Sequence, residues 1–254
     1  MLVDTHIHTS FSFDCEMDLE DAVKAAKAMD IGITITDHLD LDMDFEPFDP
    51  SYYAEIYGPH RSERLFLGTE CGMDLRFAEE SREYLSVSAP DFILGSVHNL
   101  VDDDIYEAST FEKYEEQEFW DFYFSYTREC LENHPFIDSL GHIDYPARRR
   151  PYGVNEFSFK RHEQGLVPIY EFLAKREIAL ELNLRRFSED TMAEFKEHFS
   201  AFKEMGGRYV TLGSDAHYAG PIGRNARKAS GLLKSLDLNP VHYYRHEPVI
   251  DSLL

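Results

Sequence analysis

The chain of 254 residues carries 48 acidic and 25 basic side chains, a formal net charge of −23, and is 43% hydrophobic with 19 Phe and 15 Tyr. That length suits one barrel-sized domain spanning 1–254, and the aromatic content excludes a disordered tail. A field of this sign repels nucleic acid, and it repels a small phosphorylated substrate as well unless bound cations and a few local arginines invert it at the site.

The opening Met1-Leu2-Val3-Asp4 lacks a basic n-region and a long apolar core, and no apolar run reaches membrane-spanning length. A soluble, cytoplasmic protein without a membrane partner is expected. Cys15, Cys71 and Cys130 are odd in number and form no C-x-x-C pair, which argues for small packing residues rather than disulfides or a thiolate zinc site.

In chain order, a β-branched apolar run predicts a first strand over 2–6, followed by a helix over 19–29 with Asp18 as N-cap and Gly32 as its C-terminal stop. Strands are predicted over 31–36, 65–69 and 92–97, with the acidic stretch 40–49 and the segment 102–107 read as loops just past strand ends. Helical periodicity then covers 111–133, 159–176, 189–205 and 224–236, alternating with strands over 137–141, 178–183 and 209–213. Seven nearly continuous hydrophobic strands alternating with helices predict a parallel sheet covered by helices, closed or nearly closed, with an open doubly wound sheet as the alternative.

Asp4, His6 and His8 alternate with Val3, Thr5 and Ile7, so an extended strand places all three polar side chains on one face. A single His-x-His is a weak signal, but the pattern repeats. Asp37-His38 follows the second strand, Glu70 the third, His98 the fourth, His142 the fifth, and Asp215 and His217 the seventh. Each lies at the carboxyl end of its strand, the face on which parallel barrels build active sites. Taken alone, each residue could be a satisfied polar group. Together they point to a metal centre, and histidine with carboxylate but no cysteine suits zinc, manganese or iron.

These motifs resemble the polymerase and histidinol phosphatase (PHP) superfamily over almost the whole chain: Asp4-Thr5-His6-Ile7-His8, Thr36-Asp37-His38, Gly68-Thr69-Glu70, Ser96-Val97-His98, Gly141-His142 and Ser214-Asp215-Ala216-His217. The resemblance implies a distorted (β/α)₇ TIM-like barrel holding three divalent ions. One would take His6, His8, Glu70 and Asp215; a second would share Glu70 and add His98 and His142; the third would take Asp14, His38 and His217. Within the superfamily, the length, the 95–99 stretch and Leu180-Glu181-Leu182-Asn183 look most like the histidinol-phosphate phosphatases. That subfamily resemblance implies hydrolysis of L-histidinol phosphate in histidine biosynthesis.

Water between two such metals becomes a hydroxide placed to attack phosphorus, so no side-chain nucleophile is expected. Phosphoryl transfer then asks for arginines beside the metals, and the candidates are Arg161, at the start of a helix, and Arg185 or Arg186, just past the sixth strand. Arg148-Arg149-Arg150 reads as a solvated loop. Asp40, Asp42, Asp44 and Glu46 could hold the cationic end of the substrate or form a charged surface turn. Three rivals stand beside this reading. Another phosphate ester, phosphotyrosine or a nucleotide, could be the substrate. An amidohydrolase would need a bridging carbamylated lysine, and no strand end offers one. A silent metal-binding barrel would be expected to lose ligands, whereas all nine positions are filled here.

Overall fold

The computed structural model of the chain describes residues 1–43, 45–149, 151–153 and 157–252. Through the first half these form β1 (Val3–Ile7), α1 (Leu19–Met29), β2 (Gly32–Leu39), α2 (Pro50–Tyr57), β3 (Leu65–Gly72), α3 (Ala78–Ser88), β4 (Phe92–Ser96), β5 (Asn99–Leu100) and β6 (Asp103–Asp104). Then follow α4 (Ala108–Phe111), α5 (Glu116–Asn133), β7 (Ser139–Leu140), α6 (Phe159–Arg176), β8 (Ala179–Asn183), α7 (Met192–Glu204), β9 (Tyr209–Gly213), α8 (Ala226–Ser235), β10 (Asn239–Tyr244) and β11 (Glu247–Ile250).

The seven expected strands are β1, β2, β3, β4, β7, β8 and β9, and they neighbour one another in that order within a nine-stranded sheet that continues to β10 and β11. Within this sheet every pairing from β1 to β10 is parallel and β10 with β11 is antiparallel, while β5 and β6 form a separate antiparallel pair. The sheet also bends back on itself. His8 N donates to Ala216 O at 3.0 Å, and Asp215 N donates to His6 O at 2.8 Å. The first strand therefore meets the chain leaving the seventh at the carboxyl end, through a single Ile7–Ala216 bridge rather than a ladder.

At the opposite end β9 pairs with β10 instead, Tyr209 beside Asn239 and Val210 beside Pro240. Asp251 ties this hairpin to the first strand, its carboxylate accepting from Val3 N at 3.0 Å and from His242 Nδ1 at 2.7 Å. A small apolar group from three strands, Phe92, Leu94, Ala179, Val241 and Tyr243, packs apart from the larger core.

Several local expectations change. Asp30, left-handed at φ 53°, ends α1, and Gly32 opens β2. The predicted helix 111–133 is two helices, because Glu115 starts a new one through a capping box with Glu118. Helix α2 was not expected; its cap is Asp49, which accepts from Ser51 N at 2.8 Å and Tyr52 N at 3.1 Å. Nor was α3, nor the final hairpin, whose turn uses Arg245 at φ 52° and His246 at φ 65° where Asn-Gly or Asp-Gly is the usual signal. All three cysteines are buried and free. No described helix is long and apolar enough to cross a membrane.

His198 joins the helix layer behind β8: its ring lies on Phe157 at an interplanar angle of 3°, takes a 2.8 Å hydrogen bond with Tyr170 Oη at Nδ1 and bonds Phe157 O through Nε2. Burial pushes its pKa down from 6.5 to about 4. An unfolded chain takes up a proton as pH falls through 6.5 while the folded one does not until about 4. Stability is therefore lost on acidification across that window. The predicted loss from this one residue is roughly 3 kcal/mol. Denaturant titrations of wild type and His198→Phe from pH 7 to pH 4 test this: the wild type should lose its advantage as pH falls, and a pH-independent difference would refute it.

Candidate metal centre

Strand register brings the polar residues together. Alternation along β1 puts His6 and His8 on the same face, and the parallel β2–β3 register sets His38 directly beside Glu70. His98 and His142 each follow the end of a strand, β4 and β7, by two residues. Asp215, at φ 53°, sits in the left-handed region that carboxylate residues tolerate better than most, and this turn keeps it and His217 at the mouth of the sheet.

Glu70 is the hub. Its Oε2 lies 3.1 Å from His6 Nε2, 3.3 Å from His8 Nε2 and 3.3 Å from His38 Nδ1, while Oε1 lies 2.8 Å from His142 Nε2 and 3.3 Å from His98 Nε2. Ser96 Oγ donates to Oε1 at 2.7 Å. Four overlapping groups of donors lie within 4.8 Å of one another: His6-Glu70-His142, His38-Glu70-His98, His6-His8-Asp215 and His8-His38-His217. Asp14 completes the ring, with Oδ2 3.0 Å from His217 Nε2 and Oδ1 3.8 Å from His38 Nε2.

The imidazoles are held from behind. His6 Nδ1 is 2.7 Å from Glu181 Oε1, and Glu181 Oε2 also accepts from His142 N at 2.7 Å. His8 Nδ1 is 3.0 Å from Ser12 Oγ, which donates to Asp37 at 2.8 Å. With both Nδ1 atoms so used, the Nε2 atoms of His6 and His8 turn their lone pairs towards each other at 3.0 Å and towards carboxylate oxygens. Such a convergence is repulsive unless a cation lies between the donors, so the donor set fits divalent metals.

Electrostatics point the same way. Burial opposes charge on His6, but Glu70, Glu181 and Asp215 outweigh it and hold its pKa well above the ordinary value. Burial likewise opposes charge on His38 and His98, yet Glu70 and Asp40 raise both. Burial would raise Glu70 and Asp215; surrounding imidazoles, and for Asp215 foremost Arg148, hold both well below the carboxylate range. Burial and the neighbouring His38 push His8 down to about 3.

Residues expected to be peripheral prove central. Asp40 is no surface turn: its buried carboxylate reaches His98 Nδ1 at 2.7 Å and lies 2.9 Å from His38 Nδ1. Asp42 accepts from Asn99 Nδ2 at 2.6 Å, Glu46 is exposed, and Asp44 lies outside the described residues. Arg148 is not solvated either, since its side chain is only 10% exposed and is ion-paired with Asp215. Arg149 is exposed and bonds Tyr106 O at 2.6 Å; Arg150 lies outside the described residues. Glu181, a lone carboxylate within the apolar β8, and Asp40, two residues beyond His38 on the same face, were signals available in the sequence.

Of the three candidate arginines, Arg185 stands nearest, with Nη1 3.8 Å from Asp215 Oδ2 and a side chain 55% exposed. Arg186 pairs with Asp144 at 2.7 Å and Glu194 at 2.8 Å. Arg161 pairs with Glu116 across the α5–α6 groove, and among the described residues no contact joins it to the metal ligands.

Comparison with known proteins bears on this arrangement. The PHP domain matches residues 4–185, from the first histidine strand to Arg185. The chain belongs to the PHP domain family. It is 34% identical to a probable histidinol-phosphatase of Clostridium acetobutylicum, with 96% of this chain and 97% of the relative covered, and 32% identical to the histidinol-phosphatase of Lactococcus lactis, with 91% and 90% covered. A crystal structure of histidinol phosphate phosphatase from Lactococcus lactis, in complex with zinc, L-histidinol and phosphate, superposes with a TM-score of 0.87 at 29% identity, covering 98% of each chain. In this PHP domain the last two candidate ligands, Asp215 and His217, lie beyond the matched segment and are delivered by β9.

Because Glu70 belongs to two donor groups besides touching His8, Glu70→Ala should strip more metal than His142→Ala, which belongs to one. Elemental analysis after dialysis against a weak chelator checks this. Equal losses in the two variants would contradict the hub role.

Proposed function

We propose that this chain is a metal-dependent phosphomonoesterase that hydrolyses L-histidinol phosphate to L-histidinol and phosphate, the phosphatase step of histidine biosynthesis. The observation that carries the proposal is the convergence of eight histidine and carboxylate side chains about Glu70, in a chain aligned over nearly its full length with histidinol-phosphatases. The overlapping donor groups support three ions, with His6, His8, Glu70 and Asp215 at one, Glu70, His98 and His142 at a second, and Asp14, His38 and His217 at the third. Zinc fits this donor chemistry, as do manganese and iron. Divalent ions at such a site neutralise phosphoryl oxygens and lower the pKa of water towards neutrality.

The chain's own contribution is to hold and orient. Arg148 and Arg185 both approach Asp215 Oδ2 and so flank the mouth of the centre. Among the described residues, Arg148 Nε and Nη2 are buried without a hydrogen-bond partner, two donors in a fork that a phosphate oxygen would satisfy. This geometry supports Arg148 with Arg185 as the phosphate grip, ahead of Arg186 and Arg161, which are engaged by acidic partners. A small phosphorylated molecule in the cytoplasm, rather than nucleic acid or a membrane, is the partner that the charge of −23 leaves open.

Charge-assisted hydrogen bonds from an arginine are worth roughly 1.5–3 kcal/mol, so Arg148→Ala or Arg185→Ala should cost about 10- to 150-fold in kcat/KM at unchanged metal content. Arg161→Ala should stay within about twofold. Phosphate release from L-histidinol phosphate, phosphotyrosine and nucleotides by metal-replete protein tests substrate and arginines together. Efficient turnover of either competitor without turnover of histidinol phosphate would sink the substrate assignment.

A further inference from the structure

Asp40 stands one residue past the end of β2, so strand alternation carries its side chain to the face that bears His38. Its carboxylate is 1% exposed and lies between two rings, with Oδ1 2.7 Å from His98 Nδ1 and Oδ2 2.9 Å from His38 Nδ1. The space is made by Gly72 on β3, where a Cβ would come within 2.0 Å of Asp40 Oδ1. Both rings belong to the donor group His38-Glu70-His98, and His38 belongs also to His8-His38-His217. His98 Nε2 faces Glu70 Oε1 at 3.3 Å, whereas His38 Nε2 faces Asp14 at 3.8 Å on the side of His217.

His98 Nδ1 is hydrogen-bonded to Asp40, and His38 Nδ1 faces two carboxylates, Asp40 at 2.9 Å and Glu70 at 3.3 Å; an ionised carboxylate accepts and cannot donate, so both rings favour N–H at Nδ1 and a free lone pair at Nε2. We infer that Asp40 is a positioning residue shared by two of the cation sites, so that removing it weakens both together while leaving the remaining site intact. This rests on reading the cluster as a metal centre. Its role differs from that of Glu181, which orients His6 by Nδ1 and holds His142 only through the backbone.

The two substitutions have distinct consequences. Asp40→Ala leaves both rings unanchored. Asp40→Asn offers one acceptor and one NH₂ donor, so one ring keeps its N–H at Nδ1 while the other must turn a lone pair to the amide and move its proton to Nε2, the atom a cation needs.

The test uses zinc as the probe: competition with a chromophoric chelator for wild type, Asp40→Ala and Asp40→Asn, and imidazole ¹⁵N spectra of the zinc-treated proteins, with circular dichroism to report folding. For Asp40→Ala, two zinc equivalents should weaken about 10- to 100-fold and the third should keep wild-type affinity. For Asp40→Asn, one of the two rings should change tautomer in the ¹⁵N spectrum while the fold is retained, which a merely structural role would not produce. Wild-type affinity at every site in Asp40→Ala, loss confined to one site, or two unchanged tautomers in Asp40→Asn would each overturn the inference. Failure of wild-type protein itself to bind zinc would instead bring down the metal-centre reading on which the inference rests.

Discussion

A single buried carboxylate, Glu70, lies within 3.3 Å of ring nitrogens from five histidines, and the rest of the site is arranged to keep it ionised away from water. Burying such a charge costs several kcal/mol unless it is paired and hydrogen-bonded. Pairing here comes from strand geometry. Glu70 sits on β3 between β2 and β4, with His38 beside it on one neighbour and the Ser96 hydroxyl reaching it from the other. The remaining imidazoles arrive from β1 and from the chain just past β4 and β7, so the hub needs the whole curved sheet.

Behind the histidines stands a second layer of acids. Glu181, Asp40 and, through Ser12, Asp37 engage the far nitrogens of four rings. This layer explains an otherwise awkward composition, since negative charge is concentrated where an anionic substrate must land. The acids raise the basicity of His6, His38 and His98 against the burial that opposes charge there. Carboxylates that raise imidazole basicity in this way would also strengthen the hold on a cation at these candidate donors. Arg148, and Arg185 at 3.8 Å, oppose Asp215 without occupying a donor position of their own.

How much of this could be read from the sequence follows from what alternation encodes. Period-two patterning and strand ends located the seven core strands and gathered His6, His8, His38, Glu70, His98, His142, Asp215 and His217, because a residue at a parallel strand's carboxyl end has little choice of where to point, whereas Asp14, in the loop after β1, was implied only by the family resemblance. Alternation does not say which ring a second carboxylate reaches. That is why Asp40 reads as part of an acidic loop, although it shares the face of His38. Arg148 is obscured by its neighbours, since three consecutive arginines look solvated until the 3₁₀ turn Tyr145–Arg149 folds the first of them inward, 5.1 Å from the Tyr145 ring. The last hairpin was missed because its turn places Arg245 and His246, with no glycine, in the left-handed region.

The division of β9 between two partners gives the architecture its remaining logic. Its first residues pair with β10, whereas the chain beyond its end bonds to β1, so the sheet is wedged open at one end and joined at the other. Asp4 governs that joined end. It shares the face of His6 and His8, yet its carboxylate accepts from Ser214 N at 2.9 Å and Gly223 N at 2.8 Å, pinning the backbone on either side of Asp215 and His217. Along one strand the same polar face thus passes from fastening to ligation within four residues. The fastening residue sets where Asp215 can stand, and Asp215 in turn holds the two arginines at the mouth. A buried acid outside the candidate donor groups thereby sets the shape of the candidate metal site.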